Sequence, residues 1–199
     1  GNFVDIKKAS KVTPEGPVVA FSGTSATSLI KDIFIGGGCF DVSNVSGIGG
    51  STQIGEFSGG ASSIQIESGV IIASGNVANA NGPNVGGGTG NNAGGSSDPD
   101  LLTIAKGAQI FDAGGIQFDF KPTIPLVQFN YVFGSDEYEE YSCSSFNDVF
   151  GFFINGAGIG FNKNIALIPG TSIPVKINTV NQGTPGSKGN AANCSPPLG

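Results

Sequence analysis

The sequence contains no arginine, histidine, methionine or tryptophan, and all nine of its basic residues are lysines. The absence of histidine excludes Ser-His-Asp and Cys-His catalysis and nearly every common zinc or copper site. The absence of arginine removes the bidentate side chain that recognises phosphates and carboxylates. Carboxylates, lysine, tyrosine and cysteine remain for chemistry, and the metal ion that suits them is a hard, oxygen-binding cation, chiefly calcium.

Charge is also scarce, since only 12% of the 199 residues are charged and the net charge is -6. The sequence has no basic cluster, which argues against nucleic acids and anionic membranes as partners. It has no run of eighteen apolar residues either, so we expect no direct membrane insertion. A chain rich in glycine, serine, threonine and asparagine suits an extracellular β protein. We expect its partners to be other surface proteins, glycans or copies of itself.

The three cysteines, Cys39, Cys143 and Cys194, form an odd set without a CxxC pair, which argues against a metal–thiolate or thioredoxin-like site. In a secreted chain we expect one disulfide and one remaining cysteine. Cys143 and Cys194 lie in polar segments that we expect to be exposed, whereas Cys39 follows a glycine turn into a strand. We therefore predict a Cys143–Cys194 disulfide, with Cys39 buried and free or paired with a cysteine beyond residue 199.

Short apolar runs, several of them alternating, recur between glycine-rich turns and predict roughly ten strands. In the clearest run, PLVQFNYVFGS, Val127, Phe129, Tyr131 and Phe133 share one face. Other predicted strands are CFDVSNV, IGEFSG, SIQIESGVIIASG, GIQFDFKP, VFGFFI, NIALIP and PVKINTV. The predicted fold class is all-β, a jelly-roll-like two-sheet β-sandwich with two short helices. The residues expected in its interior are Phe129, Tyr131, Phe133, Phe150, Phe152 and Ile165.

Two short helices and one long loop interrupt the strands. The segment SATSLIKDIF has apolar residues at helical spacing, capping residues before it and three glycines after it. A second helix is predicted to begin with Asp98 as its cap and Pro99 in its first turn. Residues 76–97 are rich in glycine and asparagine, and they predict a long mobile loop or one that a ligand or neighbour orders.

The stretch GSDEYEEYSCSSFNDVFGFFING, residues 134–156, concentrates carboxylates in a chain that otherwise has few. A strand would send successive side chains to opposite faces, whereas a loop could gather three or more carboxylates. Calcium binds six to eight oxygens from carboxylates, amides and carbonyls. Two alternatives stay open: an acidic loop whose tyrosines cap the edge of the core, and a carboxylate pair for glycoside hydrolysis. The candidate calcium ligands are Asp136 and Asp148 first, then Glu137, Glu139, Glu140 and Asn147.

Seven motifs follow one another between residues 25 and 194: LIKDIFIGGGCFDVSNVSGIG, IGEFSGG, IESGVIIASGN, FNYVFGSDEYEEY, FNDVFGFFING, NIALIPGT and INTVN. In this order they resemble the choice-of-anchor L domain. The resemblance implies a secreted or surface-displayed bacterial protein, and it implies no defined enzymatic activity. In the family, further strands follow the INTVN segment, and this chain stops before them.

The resemblance divides the chain into an N-terminal β-prone arm, residues 1–22, and a choice-of-anchor L-like sandwich, residues 23–199, that is incomplete at its C-terminus. An unfinished sandwich leaves an open edge, and we expect a continuing part of the same gene product or a strand from a neighbouring chain to fill it. The arm sequence NFVDIKKASKV is the candidate donor, because it alternates in part and carries lysines that suit an edge.

Two functions are consistent with these observations. The first is a non-enzymatic extracellular surface or adhesion module that calcium stabilises. The second is a structural subunit of an extracellular filament, sheath or matrix that assembles by strand exchange.

Overall fold

The computed structural model describes residues 18–36, 40–82, 90, 93–106, 108–123 and 127–194. Its regular structure is mostly strand, with two short helices, which confirms the all-β class. The described residues contain seven strands rather than the ten expected. The strands are β1 (Val19–Ser22), β2 (Phe40–Ile48), β3 (Ile54–Ser58), β4 (Gly69–Ile72), β5 (Gly115–Pro122), β6 (Phe153–Gly156) and β7 (Gly160–Asn164).

The strands form three small antiparallel sheets. In the first sheet β3 lies between β1 and β4, while β2 pairs with β5 and β6 pairs with β7. The β2–β5 pair is the longest, and its register shifts between Ser43 and Ser46. Within the described residues these sheets do not close into a complete sandwich.

Both predicted helices are present and begin at their predicted caps. Helix α1 (Ala26–Ser28) continues as a π-helical segment (Leu29–Phe34), and the Ser25 side chain accepts a hydrogen bond from the Ser28 backbone. Helix α2 (Pro99–Ala105) begins after Asp98, whose carboxylate accepts from the backbone N–H groups of residues 100 and 101. These caps satisfy N–H groups that have no partner inside the helix.

The first core lies between the three-stranded sheet and the π-helical segment. Leu29 and Ile30 from the helical segment, Ile54 from β3 and Val77 from a 3-10 helix (Val77–Asn81) are all buried. Gln53, only 1% exposed, holds this region together, because its side chain accepts from the Gly50 backbone and donates to carbonyls near the end of β4 and before β5. A buried amide is stable only when it is hydrogen-bonded in this way.

A second core lies at the other end of the chain and consists of Cys143, Ala166, Val175 and Ile177, each at most 2% exposed. Short backbone pairings replace full strands here. The backbone N–H of Phe150 donates to the carbonyl of Val175 at 3.1 Å, and the N–H of Val175 donates to the carbonyl of Ala166 at 3.4 Å. The predicted strands NIALIP and PVKINTV are therefore present only as isolated bridges.

Two other predicted strands are wrong. SIQI, residues 63–66, forms turns. PLVQFNYVFGS forms no ladder over residues 127–135, although exposure alternates as predicted and Phe129, Tyr131 and Phe133 are half-buried. A period-two pattern determines which way side chains point, but a ladder also requires a neighbouring strand. Phe150 and Phe152 are likewise only half-buried, and Ile165, expected inside, is 38% exposed.

The loop predicted over residues 76–97 is partly ordered by the fold itself. Asn76 caps the 3-10 helix that it precedes, and Val77 is fully buried. At the end of this helix the Asn81 side-chain amide donates to the carbonyl of Ala20 at 3.1 Å and accepts from the Ala20 N–H, so it pairs with β1. Residues 83–89 and 91–92, Cys39 and arm residues 1–17 lie outside the described residues.

Candidate functional site

The predicted ligand stretch is here called the acidic loop (residues 136–148); it forms turns over residues 136–143 and has no regular structure in its remaining residues. The backbone N–H of Tyr141 donates to the carbonyl of Glu137 at 2.9 Å, and the N–H of Ser142 donates to the carbonyl of Glu139 at 3.2 Å. The loop is therefore not a strand that alternates its carboxylates between two faces, and the side chains can lie on the same side.

The end of the acidic loop is held against the second core. Asp148 accepts a backbone hydrogen bond from Ile177 at 3.2 Å. Asn178, 8% exposed, donates its backbone N–H to the Asn147 side chain at 2.9 Å and its side-chain amide to the Ser144 carbonyl at 2.8 Å. These bonds place Asn178 directly beside residues 144–147.

Tyr138 anchors the middle of the acidic loop, because its hydroxyl donates to the carbonyl of Val180. Tyr141 packs edge-on against Phe146, with ring centroids 5.4 Å apart. Tyr138 is therefore tied to the segment after the second core, whereas Tyr141 contacts a phenylalanine that is itself exposed.

The segment of residues 186–194, here called the tail, covers the acidic loop. Its backbone N–H groups at Gly186, Lys188 and Asn190 donate to carbonyls of Ser142, Glu140 and Cys143 at 2.7–3.0 Å. The predicted disulfide is present: Cys143 and Cys194 are bonded, with their Cα atoms 4.6 Å apart. Cys143 was expected to be exposed, but it is fully buried, because the tail lies over it.

The tail approaches so closely that it requires glycine. A Cβ atom built on Gly186 would lie 1.9 Å from the carbonyl oxygen of Glu139, and one built on Gly189 would lie 2.0 Å from that of Ser142. No side chain fits at such distances. The tail and the loop therefore form one closely packed unit.

The six predicted ligands do not share one environment. Asp136, Glu137 and Asn147 are half-buried, whereas Glu139 and Glu140 are exposed. Asp148 is also exposed as a residue, although protein lies close enough to its carboxyl group to raise the pKa of that group. Asn147 already accepts the backbone hydrogen bond of Asn178.

Burial and like charge disfavour ionisation at two of these carboxyl groups. Burial raises the pKa of Glu137, and the negative charges of Asp148, Asp136 and Glu140 raise it further. Burial also raises the pKa of Asp148, with a further contribution from Asp136. The pKa of Tyr138 is raised to about 12 by burial and by the charge of Asp148. Carboxylates that repel one another in this way are stabilised by a cation.

Three buried oxygens around the acidic loop have no hydrogen-bond partner: Glu137 Oε2, Ser142 Oγ and Asn178 Oδ1. The one other such atom in the described residues is Ser63 Oγ. Buried polar atoms are normally paired, so this grouping is unusual. Sequence reasoning missed Asn178, although the INTVN motif contained it, because nothing local indicates that it packs beside residues 144–147.

Within the described residues no group of three or more histidine, cysteine or acidic side chains is arranged to hold a metal ion. A cation at the acidic loop would therefore combine at most two of the present carboxylates with neutral oxygens such as Asn178 Oδ1. Calcium accepts such mixed oxygen ligands more readily than other common metal ions.

A second feature, here called the aromatic trough, consists of the rings of Phe34, Phe129, Tyr131, Phe150 and Phe152. Phe129 stacks on Phe152 with ring centroids 4.2 Å apart, Tyr131 contacts Phe150 at 5.1 Å, and Phe34 contacts Phe129 at 6.2 Å. Fourteen of the fifteen phenylalanines lie in the described part of the chain, all except Phe3, and none of the fourteen is buried. The largest apolar side chains therefore line an open surface rather than a closed core.

The comparisons with known proteins identify the family. Searches of curated proteins and of solved structures gave no match. No helix among the described residues is long and apolar enough to cross a membrane. A scan against protein-family models matches residues 18–197 to the choice-of-anchor L domain, a wider span than the expected 25–194. Membership of this family indicates an extracellular or cell-surface protein. Because the match covers nearly the whole sequence, the chain belongs to the choice-of-anchor L domain family.

Proposed function

We propose that this chain is a non-enzymatic module of an extracellular surface protein, and that a calcium ion bound at the acidic loop stabilises it. The observation that carries the proposal is that the Oε2 atom of Glu137 is buried without a hydrogen-bond partner. Burial and three neighbouring carboxylates also raise the pKa of this carboxyl group. Such an arrangement is costly without a cation.

The proposed ligands are the carboxylates of Glu137 and Asp148, with the amide oxygen of Asn178 as a neutral ligand. Asn178 is held in place by two hydrogen bonds that leave its Oδ1 atom unpaired. Asp136 is half-buried beside Glu137, and it is the alternative to Asp148 as the second carboxylate. Glu139 and Glu140 are exposed, and they are the candidates that contribute least.

Calcium would act here by making the acidic loop more rigid and would take no part in a reaction. The chain has no histidine for acid–base or nucleophilic catalysis. A bound ion would join the acidic loop to the segment around Asn178, in addition to the tail that already covers the loop. A stabilised loop of this kind suits a module that binds other surface proteins or glycans through its loops.

Thermal unfolding in calcium and in chelator tests this proposal. At a calcium concentration about 100 times the dissociation constant, the free energy of unfolding rises by about 2.7 kcal/mol. For a chain of this size, the melting temperature then rises by roughly 5–10 °C. Magnesium at the same concentration should have a smaller effect, because it is smaller and demands stricter octahedral geometry. Equal melting temperatures in calcium and in chelator would sink the proposal.

The variant Asp148→Asn tests whether a change in stability comes from lost calcium binding or from damage to the fold. In chelator this variant should be as stable as the unmodified chain or more stable, because it removes a charge that repels Glu137. In calcium it should lose most of the gain in melting temperature. Asp32→Asn, an exposed carboxylate in the π-helical segment, is the matched control and should keep the full gain.

The second candidate function, a structural subunit of an extracellular filament, sheath or matrix, is favoured by a different observation. The three sheets are small and separate, and the aromatic trough remains half-exposed. Strand exchange between copies would cover that surface. Sedimentation analysis of the purified chain over a range of concentrations tests it, and a strict monomer at every concentration would refute it.

A further inference from the structure

Residues 127–134 resemble a strand that lacks its neighbour. From Gln128 to Gly134, exposed and half-buried side chains alternate. Within the part of the chain that the structure describes, no backbone hydrogen bond joins these residues to any other segment. Unpaired backbone groups along an alternating segment are the usual acceptor for a strand from another chain.

Residues 127–134 line part of an open cavity that extends across much of the described molecule. The cavity that residues 127–134 line has a volume of about 2620 Å³. The half-buried rings of Phe129, Tyr131, Phe150 and Phe152 face the same cavity. An extended peptide segment that pairs with residues 127–134 would place its apolar side chains against these rings.

Charge identifies the occupant. The unpaired segment leads directly into the carboxylates of the acidic loop, of which Glu139 and Glu140 are exposed. The N-terminal sequence NFVDIKKASKV contains three of the nine lysines of the chain, Lys7, Lys8 and Lys11. In an extended conformation its Val4 and Ile6 would share one face.

We infer that residues 127–134 are the acceptor for residues 3–11 of a second copy of this chain. Its apolar side chains enter the aromatic trough, and its lysines meet the acidic loop. This inference rests on the second candidate function, and it adds the acceptor segment, the donor segment and their orientation.

Charge matching also determines the orientation of the two segments. The lysines lie in the C-terminal half of the donor, and the carboxylates lie just beyond the C-terminal end of the acceptor. Only a parallel arrangement brings the two groups together. At about 3.3 Å per residue, the nine residues of the donor span the eight of the acceptor and reach the acidic loop.

Complementary charge reversals in the full chain test the inference in chelator. The variant K7E/K8E/K11E has an acidic arm, and the variant D136K/E139K/E140K has a basic loop. Each alone should assemble about 100-fold more weakly than the unmodified chain, because like charges then face each other. An equimolar mixture should regain the unmodified affinity in sedimentation velocity, because each arm then meets a loop of opposite charge. The matched control K31E/K121E/K163E reverses three exposed lysines elsewhere and should assemble normally.

The outcomes separate this inference from the function on which it rests. An unmodified chain that stays monomeric overturns both. An unmodified chain that assembles, with variants that assemble equally well, overturns the inference alone. Folded variants that are weak alone and stay weak when mixed also overturn it, because the arm then docks within its own chain or elsewhere. Circular dichroism checks that each variant folds, and K11E with E140K is the milder pair if one does not.

Discussion

Residues 127–134 and residues 136–148 are almost consecutive in the chain, yet different kinds of interaction connect them to the rest of the protein. The first segment contacts its surroundings through aromatic rings and makes no backbone hydrogen bond within the described residues. The second is joined to the tail by three backbone hydrogen bonds and a disulfide. The difference shows that contacts within the chain constrain the acidic loop, whereas the rings of the aromatic trough stay partly exposed.

The largest effect that we expect is at the disulfide. Cys143→Ala with Cys194→Ala should lower the free energy of unfolding by roughly 4 kcal/mol, because the bond closes a loop whose ends are 51 residues apart. Thermal unfolding with and without reductant measures it. The stability of the double variant should not change when reductant is added. If the unmodified chain and the double variant were equally stable, the disulfide would not constrain the acidic loop more than the aromatic trough is constrained.

Truncating one side chain in each region compares their packing directly. Ile177→Ala removes a fully buried side chain next to the acidic loop and should cost about 3 kcal/mol. Phe129→Ala removes a larger but half-buried side chain from the trough, and it should cost less in the monomer. Denaturant unfolding of both variants is the measurement. A greater loss from Phe129→Ala would mean that the trough is a closed core after all.

Adding one methyl group tests how closely the tail covers the acidic loop. Gly186→Ala places a Cβ atom against two backbone carbonyls, so we expect a loss of about 2 kcal/mol and weaker protection of loop amides in hydrogen exchange. Gly134→Ala is the matched control, because nothing lies within 4 Å of its Cβ position. Equal stability of the two variants would contradict close packing of the tail.

The smallest expected effect is the pH dependence of stability in chelator. Glu137 and Asp148 have raised pKa values in the folded chain, so protons bind more tightly there than in the unfolded chain. The stability that they contribute is fully present below their unfolded pKa values, near 4, and it is lost as pH rises through the raised values. The free energy of unfolding should therefore fall between pH 4 and neutrality. Saturating calcium should flatten this slope, and E137Q/D148N should flatten it without calcium.

Much of the local structure could be predicted from neighbouring residues. Both helix caps are as predicted, and the predicted strand GIQFDFKP has the bounds of β5. The acidic candidates lie in a turn region whose position the sequence could predict, but the sequence could not predict which of their side chains are exposed. Their different exposure, and the approach of Asn178 to residues 144–147, depend on segments about thirty residues apart in sequence. The proposed ligand set therefore needed the structure.

The sequence by itself determined the all-β class, the family, the helix starts and the oxygen-rich chemistry open to a chain without histidine. These follow from composition or from interactions between residues a few positions apart. Only the tertiary structure decided that residues 127–134 lack a ladder, that no described phenylalanine is buried, and that Glu137 and Asp148 repel each other. Hydrogen-bond pairing and burial depend on which distant segments come together, and alternation along one segment carries no information about its neighbour.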